Sequence, residues 1–284
     1  MEITPVIDHQ FELGEGPFWH PIEKKLYCVD IRAAQIFCID PDTGAHQHWQ
    51  LPEPVGCAVP CKAGGFIVGM GSKIIHFDPA DNKITPIFDA KNGLRMNDGK
   101  CDAQGRLWIG EADDNGTNQA THYCCDTDGK VTVVEQGLYI SNGLDWNDAG
   151  TTFILTDSSD RVIYEYDFDS AKGTIANKRD LIRVPDTEGY PDGLTLDAEG
   201  CIWNTQWDGG RLVRYTPDGD VDRMIDLPVQ RPTSCMFGGE NLDILYVTSA
   251  SINLNEDVPL AWPNGVLYAI TDLGVQGRPQ NLYG

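Results

Sequence analysis

The stretch Asn97-Asp-Gly-Lys-Cys-Asp102-Ala-Gln-Gly105-Arg-Leu-Trp108 returns as Asp192-Gly-Leu-Thr-Leu-Asp197-Ala-Glu-Gly200-Cys-Ile-Trp203. Each copy runs from a polar residue, through a turn built on Asp, Ala and Gly, to a hydrophobic pair of strand type. Asn142 opens a third copy, through Leu144-Asp-Trp-Asn147 and Gly150 to Phe153-Ile154. Glu15 opens a fourth, through Trp19-His-Pro21 to Leu26-Tyr27. Weaker copies start at Gly56, before Gly64-Gly65-Phe66-Ile67, and at Ser234, before Gly238-Gly239 and Leu245-Tyr246 with a small insertion. The anchors at 15, 56, 97, 142, 192 and 234 are 41, 41, 45, 50 and 42 residues apart, the length of a four-stranded propeller blade.

A second pattern follows each anchor: a β-rich run ending in a turn of Asp, Thr, Pro and Gly. It reads Ile36-Phe-Cys-Ile-Asp-Pro-Asp-Thr-Gly44, Ile75-His-Phe-Asp-Pro-Ala-Asp81, Tyr123-Cys-Cys-Asp-Thr-Asp-Gly129, Ile163-Tyr-Glu-Tyr-Asp-Phe-Asp169, Val213-Arg-Tyr-Thr-Pro-Asp-Gly219 and Leu267-Tyr-Ala-Ile-Thr-Asp-Leu-Gly274. Six copies predict an all-β chain folded as a six-bladed β-propeller, with residues 1–284 as a single domain. A β-sandwich would not impose so regular a period, and helical solenoids lack support because helical periodicity is missing. Strand-like Ile3-Thr4-Pro5-Val6-Ile7 is expected to complete the last blade, with Pro5 favouring the outermost position. No role is assigned to the Ser251 to Pro263 excursion in that blade.

Charge narrows the function. The chain has 284 residues with 21 Lys+Arg against 43 Asp+Glu, a formal charge of −22, which argues against nucleic-acid or anionic-membrane partners. No apolar stretch approaches bilayer length and the start lacks a signal-peptide pattern, so a cytoplasmic monomer or small homo-oligomer is expected. The nine cysteines lack CxxC spacing and read as reduced core thiols, with vicinal Cys124 and Cys125 on opposite faces of a strand. His46-Gln-His48 reads as an exposed strand pair rather than a zinc site, and neither a G-x-S-x-G elbow nor a P-loop occurs.

Equivalent positions in a propeller occupy equivalent places around its axis. Glu15, Asn97, Asn142 and Asp192 would therefore bring two carboxylates and two carboxamides together at the channel mouth, with no basic anchor among them. Such a set is costly to bury without a cation, and a hard divalent metal at the central channel would satisfy it. Asn-Gly and Asp-Gly are also ordinary turn dipeptides, and spacing alone leaves the turn reading and the site reading open.

The segments Leu13-Gly-Glu-Gly-Pro-Phe-Trp19, Arg95-Met-Asn-Asp-Gly-Lys100, Ile140-Ser-Asn-Gly-Leu-Asp-Trp146, Tyr190-Pro-Asp-Gly-Leu194, Gly209-Gly-Arg-Leu212 and Thr233-Ser-Cys-Met-Phe-Gly-Gly239 span nearly the whole chain. Together they resemble the senescence marker protein, gluconolactonase and regucalcin family of sugar lactonases. The resemblance implies a six-bladed propeller holding one divalent ion, Ca²⁺, Mg²⁺, Mn²⁺ or Zn²⁺, on Glu15, Asn142 and Asp192, with Arg95 and Asn97 contacting substrate. The implied reaction is hydrolysis of an aldonolactone to its sugar acid, with the metal as Lewis acid and Asp192 as general base. Where family members often carry Gly-Thr-Met, this chain has Gly110-Glu111-Ala112 followed by Asp113-Asp-Asn-Gly-Thr-Asn118. That departure leaves Asp114 and Asn115 as unassigned pocket candidates, and Trp207 as either a sugar platform or a packing residue. Two other readings stand beside the lactonase: a metal-dependent phosphotriesterase resembling the diisopropyl-fluorophosphatase branch, and a non-enzymatic calcium-binding or scaffold propeller.

Overall fold

The computed structural model describes residues 1–252 and 264–284, so most of the Ser251–Pro263 excursion lies outside the described residues. The described residues contain strands and turns but no helix, hence none long and apolar enough to cross a membrane. The first blade consists of β2 (Gly14–His20), β3 (Lys25–Asp30), β4 (Gln35–Ile39) and β5 (His46–Gln50), preceded in the chain by β1 (Glu2–Pro5). The second holds β6 (Val55–Pro60), β7 (Phe66–Met70), β8 (Lys73–Asp78) and β9 (Lys83–Asp89). The third holds β10 (Arg95–Cys101), β11 (Leu107–Ala112), β12 (Ala120–Cys125) and β13 (Val131–Leu138). The fourth holds β14 (Ser141–Trp146), β15 (Thr152–Asp157), β16 (Val162–Asp169) and β17 (Thr174–Arg183). The fifth holds β18 (Tyr190–Leu196), β19 (Ile202–Trp207), β20 (Arg211–Tyr215) and β21 (Val221–Asp226). The sixth joins β22 (Pro232–Gly238), β23 (Ile244–Ser249) and β24 (Tyr268–Thr271) to β1. The predicted six-bladed β-propeller is therefore the observed fold.

Burial explains the order of strands within a blade. Innermost strands such as β6, β14 and β22 are buried from end to end, whereas β5 and β17 on the rim are largely exposed. Lys178, Arg179 and Arg183 on β17 protect that open edge with charge. β1 pairs antiparallel with β24, from Glu2 opposite Thr271 to Pro5 opposite Tyr268, and is outermost in its sheet, where the missing N–H of Pro5 breaks no ladder. Aromatic residues fill the spaces between blades, as where Trp108 meets Phe153 at 5.0 Å and Trp146 at 5.8 Å between ring centroids. Cys124 joins that cluster while Cys125 joins another, so the vicinal pair does face opposite ways, and all nine cysteines are free.

Each innermost strand slips register once against its neighbour. The slips fall between Glu15 and Phe18, Val55 and Cys57, Met96 and Gly99, Ser141 and Leu144, Pro191 and Leu194, and Pro232 and Cys235. All six sequence anchors lie at or inside these bulges, which bend a strand and re-aim its side chains. Asn142-Gly143 and Asp192-Gly193 are thus strand bulges, not turns. A Cβ on Gly143 would lie 2.4 Å from the Leu194 amide nitrogen, and one on Gly193 2.6 Å from Ser234 Cα. Glycine is needed there because adjoining inner strands approach backbone to backbone.

The repeated aspartates lock the turn at the far end of the blade. Asp197 accepts hydrogen bonds from Trp203 Nε1 at 2.8 Å, Arg214 Nε at 2.8 Å and the Cys201 amide at 3.0 Å. Asp102 does the same with Trp108 Nε1 at 2.9 Å and Arg106 Nε at 2.6 Å. Beneath these turns the C-terminal segment 276–284 crosses the floor of the ring. It takes the Ala198 amide on Gln276, gives the Gly277 amide to Leu242, and holds Trp146 through Arg278 and Gly105 through Gly284. Asp197→Ala, which leaves the buried Trp203 indole N–H without its acceptor and takes one of three carboxylates from Arg214, is expected to cost about 2 kcal/mol, read as a lowered urea midpoint; Asp197→Asn should lose less.

Candidate active site

The mouth of the channel opposite that strap is assembled from two kinds of segment. The first residues of inner strands supply Glu15, Arg95, Asn97, Asn142, Tyr190 and Asp192. Loops between the second and third strands of a blade supply Ile31 and Arg32, Asp114, Ser158 and Ser159, and Ile252, and the end of β19 supplies Trp207. The cavity they line has a volume of about 410 Å³, the size of a small-ligand site. Glu15, Arg95, Asn97, Asn142 and Asp192, far apart in sequence, all face this one space. The anchors Gly56 and Ser234 do not; Ser234 lies deeper, where Asp98 and Lys100 line a narrow continuation of the channel.

Glu15 and Asp192 are buried carboxylates that repel each other. Burial pushes the carboxyl of Glu15 well above its usual range, and the charges of Asp192 and Asp98 push it further. Burial and Asp98 do the same to Asp192, against smaller opposing effects of Arg95 and a hydrogen bond from Asn142. Asp98 is itself raised by burial, with Lys100 pulling the other way. One guanidinium and one ammonium therefore compensate this group incompletely, because Lys100 is already spent on Asp145 at 3.0 Å, which Arg278 also holds at 3.0 Å.

Hydrogen bonds fix the neutral partners. Asn97 Nδ2 donates to the Ser141 carbonyl at 2.8 Å, and its Oδ1 accepts from Arg95, which also lies 3.4 Å from Asp114. Asn142 Nδ2 donates to Ser158 Oγ at 3.1 Å. That leaves Asn142 Oδ1 and Asp192 Oδ1, both buried and both without a hydrogen-bond partner. Orphaned acceptors next to a buried carboxylate fit a hard cation. Behind Asn97 sits His122, whose ring nitrogen lies 2.9 Å from Ser141 Oγ and whose pKa burial pushes down to about 3, so the imidazole is neutral.

Of the residues around the channel, Trp207 was an open candidate in the sequence, whereas Asp98, Tyr190 and Arg32 carried no assignment. Asp98 shares a bulge with Asn97, and sequence does not say which of the two aims deeper. Tyr190 and Trp207 are cross-strand partners forming an aromatic wall, backed by Arg161 at 3.8 Å and Arg231 at 4.7 Å from the respective ring centroids. Of the two loop candidates, Asp114 lines the cavity and Asn115 does not. Elsewhere, Asp197, Glu199 and Cys201 cluster closely enough to suggest a metal, but Arg214 already neutralises both carboxylates, at 2.7 and 2.5 Å.

The raised carboxyls have a consequence for stability. A carboxyl whose folded value lies above its unfolded value near about 4 stays protonated longer in the folded protein, so stability falls as pH rises through that interval. In chelator, the melting temperature is expected to decline from about pH 4 upward. Asp192→Asn, which removes one of the repelling charges, should stabilise the metal-free protein at neutral pH by about 1–3 kcal/mol and flatten the decline; calorimetry across pH checks both.

Comparison with known proteins agrees with this architecture. Residues 13–251 match the SMP-30/Gluconolactonase/LRE-like region family. A pentonolactonase of Haloferax volcanii is 36% identical over 255 residues, covering 88% of this chain and 86% of its own. A 6-deoxy-6-sulfogluconolactonase of Pseudomonas putida is 35% identical over 280 residues, covering 95% and 94%. The solved structure of a luciferin-regenerating enzyme superposes with a TM-score of 0.92 at 28% identity, over 100% of this chain and 99% of that one. With the repeated anchors, the six-bladed ring and this extent of matching, the chain belongs to the SMP-30/gluconolactonase/LRE-like family.

Proposed function

We propose that the protein hydrolyses a sugar lactone to the corresponding sugar acid, with one divalent metal ion held by Glu15, Asn142 and Asp192 at the channel mouth. The observation that carries the reading is the pair of buried, unpartnered oxygens on Asn142 and Asp192 beside the repelled carboxylate of Glu15. Relatives named as lactonases for pentonolactone and for a sulfogluconolactone support the reaction class. Carboxylate and carboxamide oxygens suit Ca²⁺, Mg²⁺ or Mn²⁺, and Zn²⁺ can be accommodated. Such an ion, when bound, supplies a Lewis acid for the lactone carbonyl.

The chain's own groups then have definite work. Asn97, its amide fixed by the Ser141 carbonyl, and Arg95, fixed against Asn97, present an oriented donor set to the hydroxyls of the sugar and to the carboxylate that forms. Arg95 favours the ionised form of Asp192. Ionised Asp192 takes a proton from water as its oxygen bonds to the carbonyl carbon. As the bond from that carbon to the ring oxygen breaks, Asp192 returns the proton to the departing ring oxygen. Trp207 and Tyr190 exclude water from one side of the cavity and offer ring faces to the C–H bonds of a sugar.

Metal-stripped protein should release no protons from aldonolactones above the spontaneous rate, and adding back a divalent ion should restore turnover. Asp192→Ala is expected to abolish it, and retained turnover would remove Asp192 as base. Arg95→Ala should cost about tenfold or more in kcat/KM. Turnover of phosphotriesters without lactones would replace the reading by the phosphotriesterase one, and turnover of neither would leave a binding protein.

A further inference from the structure

The arginines around the channel mouth are not equivalent. Arg95 is bonded to Asn97 and paired with Asp114. Arg161 donates to the carbonyls of Pro185, Glu188 and Gly189 while covering Tyr190. Arg211 pairs with Glu188 at 2.8 Å, and Arg231 with Asp208 at 2.6 Å. Arg32, exposed on the turn between β3 and β4, lines the same cavity, yet no hydrogen bond or ion pair engages it among the described residues. Among the described residues, other blades present Asp114, Ser158 with Ser159 and, at the end of β19, Trp207 to the cavity, so the free cation there comes from the first blade.

Its place in the cavity is equally specific. Arg32 is exposed whereas Glu15 and Asp192 are buried in the same cavity, which places Arg32 toward the rim and away from the carboxylate floor. A lactone with its carbonyl at that floor turns its other end toward the rim. In a chain of net charge −22, an anion approaching this mouth is repelled unless a local cation offsets the field. An unengaged guanidinium does so with a fork matched to carboxylate, phosphate or sulfonate oxygens, whereas neutral hydroxyls are already served by Asp114, Ser158 and Ser159.

We infer that Arg32 is a specificity residue that selects lactones bearing an anionic group at the end remote from the carbonyl. The inference rests on the lactonase reading proposed above for the same cavity. It is tested with glucono-δ-lactone and its phosphate ester at the terminal carbon, which share one ring and differ at the remote end. The metal-loaded wild-type protein should prefer the ester in kcat/KM, and Arg32→Gln should shrink that preference about tenfold, the size of one charge-assisted hydrogen bond. Arg32→Glu should invert it, and Arg32→Lys, which keeps the charge without the fork, should fall between wild type and Arg32→Gln.

Binding of the product acids to metal-free protein, followed by calorimetry, gives a second reading that needs no turnover. Glucarate and phosphogluconate should bind more tightly than gluconate, and Arg32→Gln should remove the difference; which of the two gains more tells carboxylate from phosphate. Hydrolysis of the neutral lactone with the same preference in wild type and Arg32→Gln overturns the role of Arg32 and leaves the lactonase reading standing. No hydrolysis of either lactone with any metal, alongside an Arg32-dependent difference in acid binding, overturns the lactonase reading and sustains the anion site.

Discussion

Glu15, Asp98 and Asp192 repel one another inside a channel that offers Arg95 and an already committed Lys100 as compensation. Left alone, that arrangement works against folding, because burial and like charge both penalise the ionised forms. The remainder of the molecule is built so that it can be tolerated. Six sheets, each buried at its inner strand and packed blade to blade through aromatic clusters, supply the apolar burial. The turns on Asp102 and Asp197 tie strand to strand with charge-assisted bonds at the opposite end. Apolar burial and charge-assisted turns thus lie away from the mouth, and uncompensated like charge is concentrated at it.

The bulges translate repetition into convergence. A regular inner strand would alternate its side chains between the faces of the blade, toward one neighbour and then the other. A slip at the same place in each blade turns a residue toward the axis instead. The cost is a close backbone approach that only glycine allows, seen at Gly143 and Gly193. The adjacent Asn142 and Asp192 are therefore aimed by the residues that follow them, and the dipeptide is a unit of site construction rather than of chain reversal.

Much of this was legible in the sequence. Strand-turn-strand repeats at 41 to 50 residues gave the ring, and the shared register of Glu15, Asn97, Asn142 and Asp192 brought four residues of the cavity together before any coordinates. What escaped followed from information that one strand does not carry. Asp98 was hidden because a bulge has two residues and only the packed neighbours decide which aims into the channel. Tyr190 and Arg32 were hidden because they belong to loops and strand ends whose proximity depends on ring closure. The Asp-Gly dipeptide was ambiguous because local propensity cannot distinguish a bulge from a turn when both want a residue without a Cβ.

Ring closure sets the order in which such a molecule can be made. β1 precedes the other strands of all six blades in the sequence and its partner β24 follows them, with Glu2 opposite Thr271. The strap at 276–284 reaches back to Gly105 and Pro60. These contacts join the most distant parts of the chain, the kind that raises contact order and slows folding. On the ribosome, the carboxylates of the first, third and fifth blades can meet only after the fifth has emerged, and the ring that holds them stays open until β24 is free to pair with β1. A prematurely terminated chain would accordingly carry most of the core and none of the closure, presenting an open sheet edge to be recognised and removed.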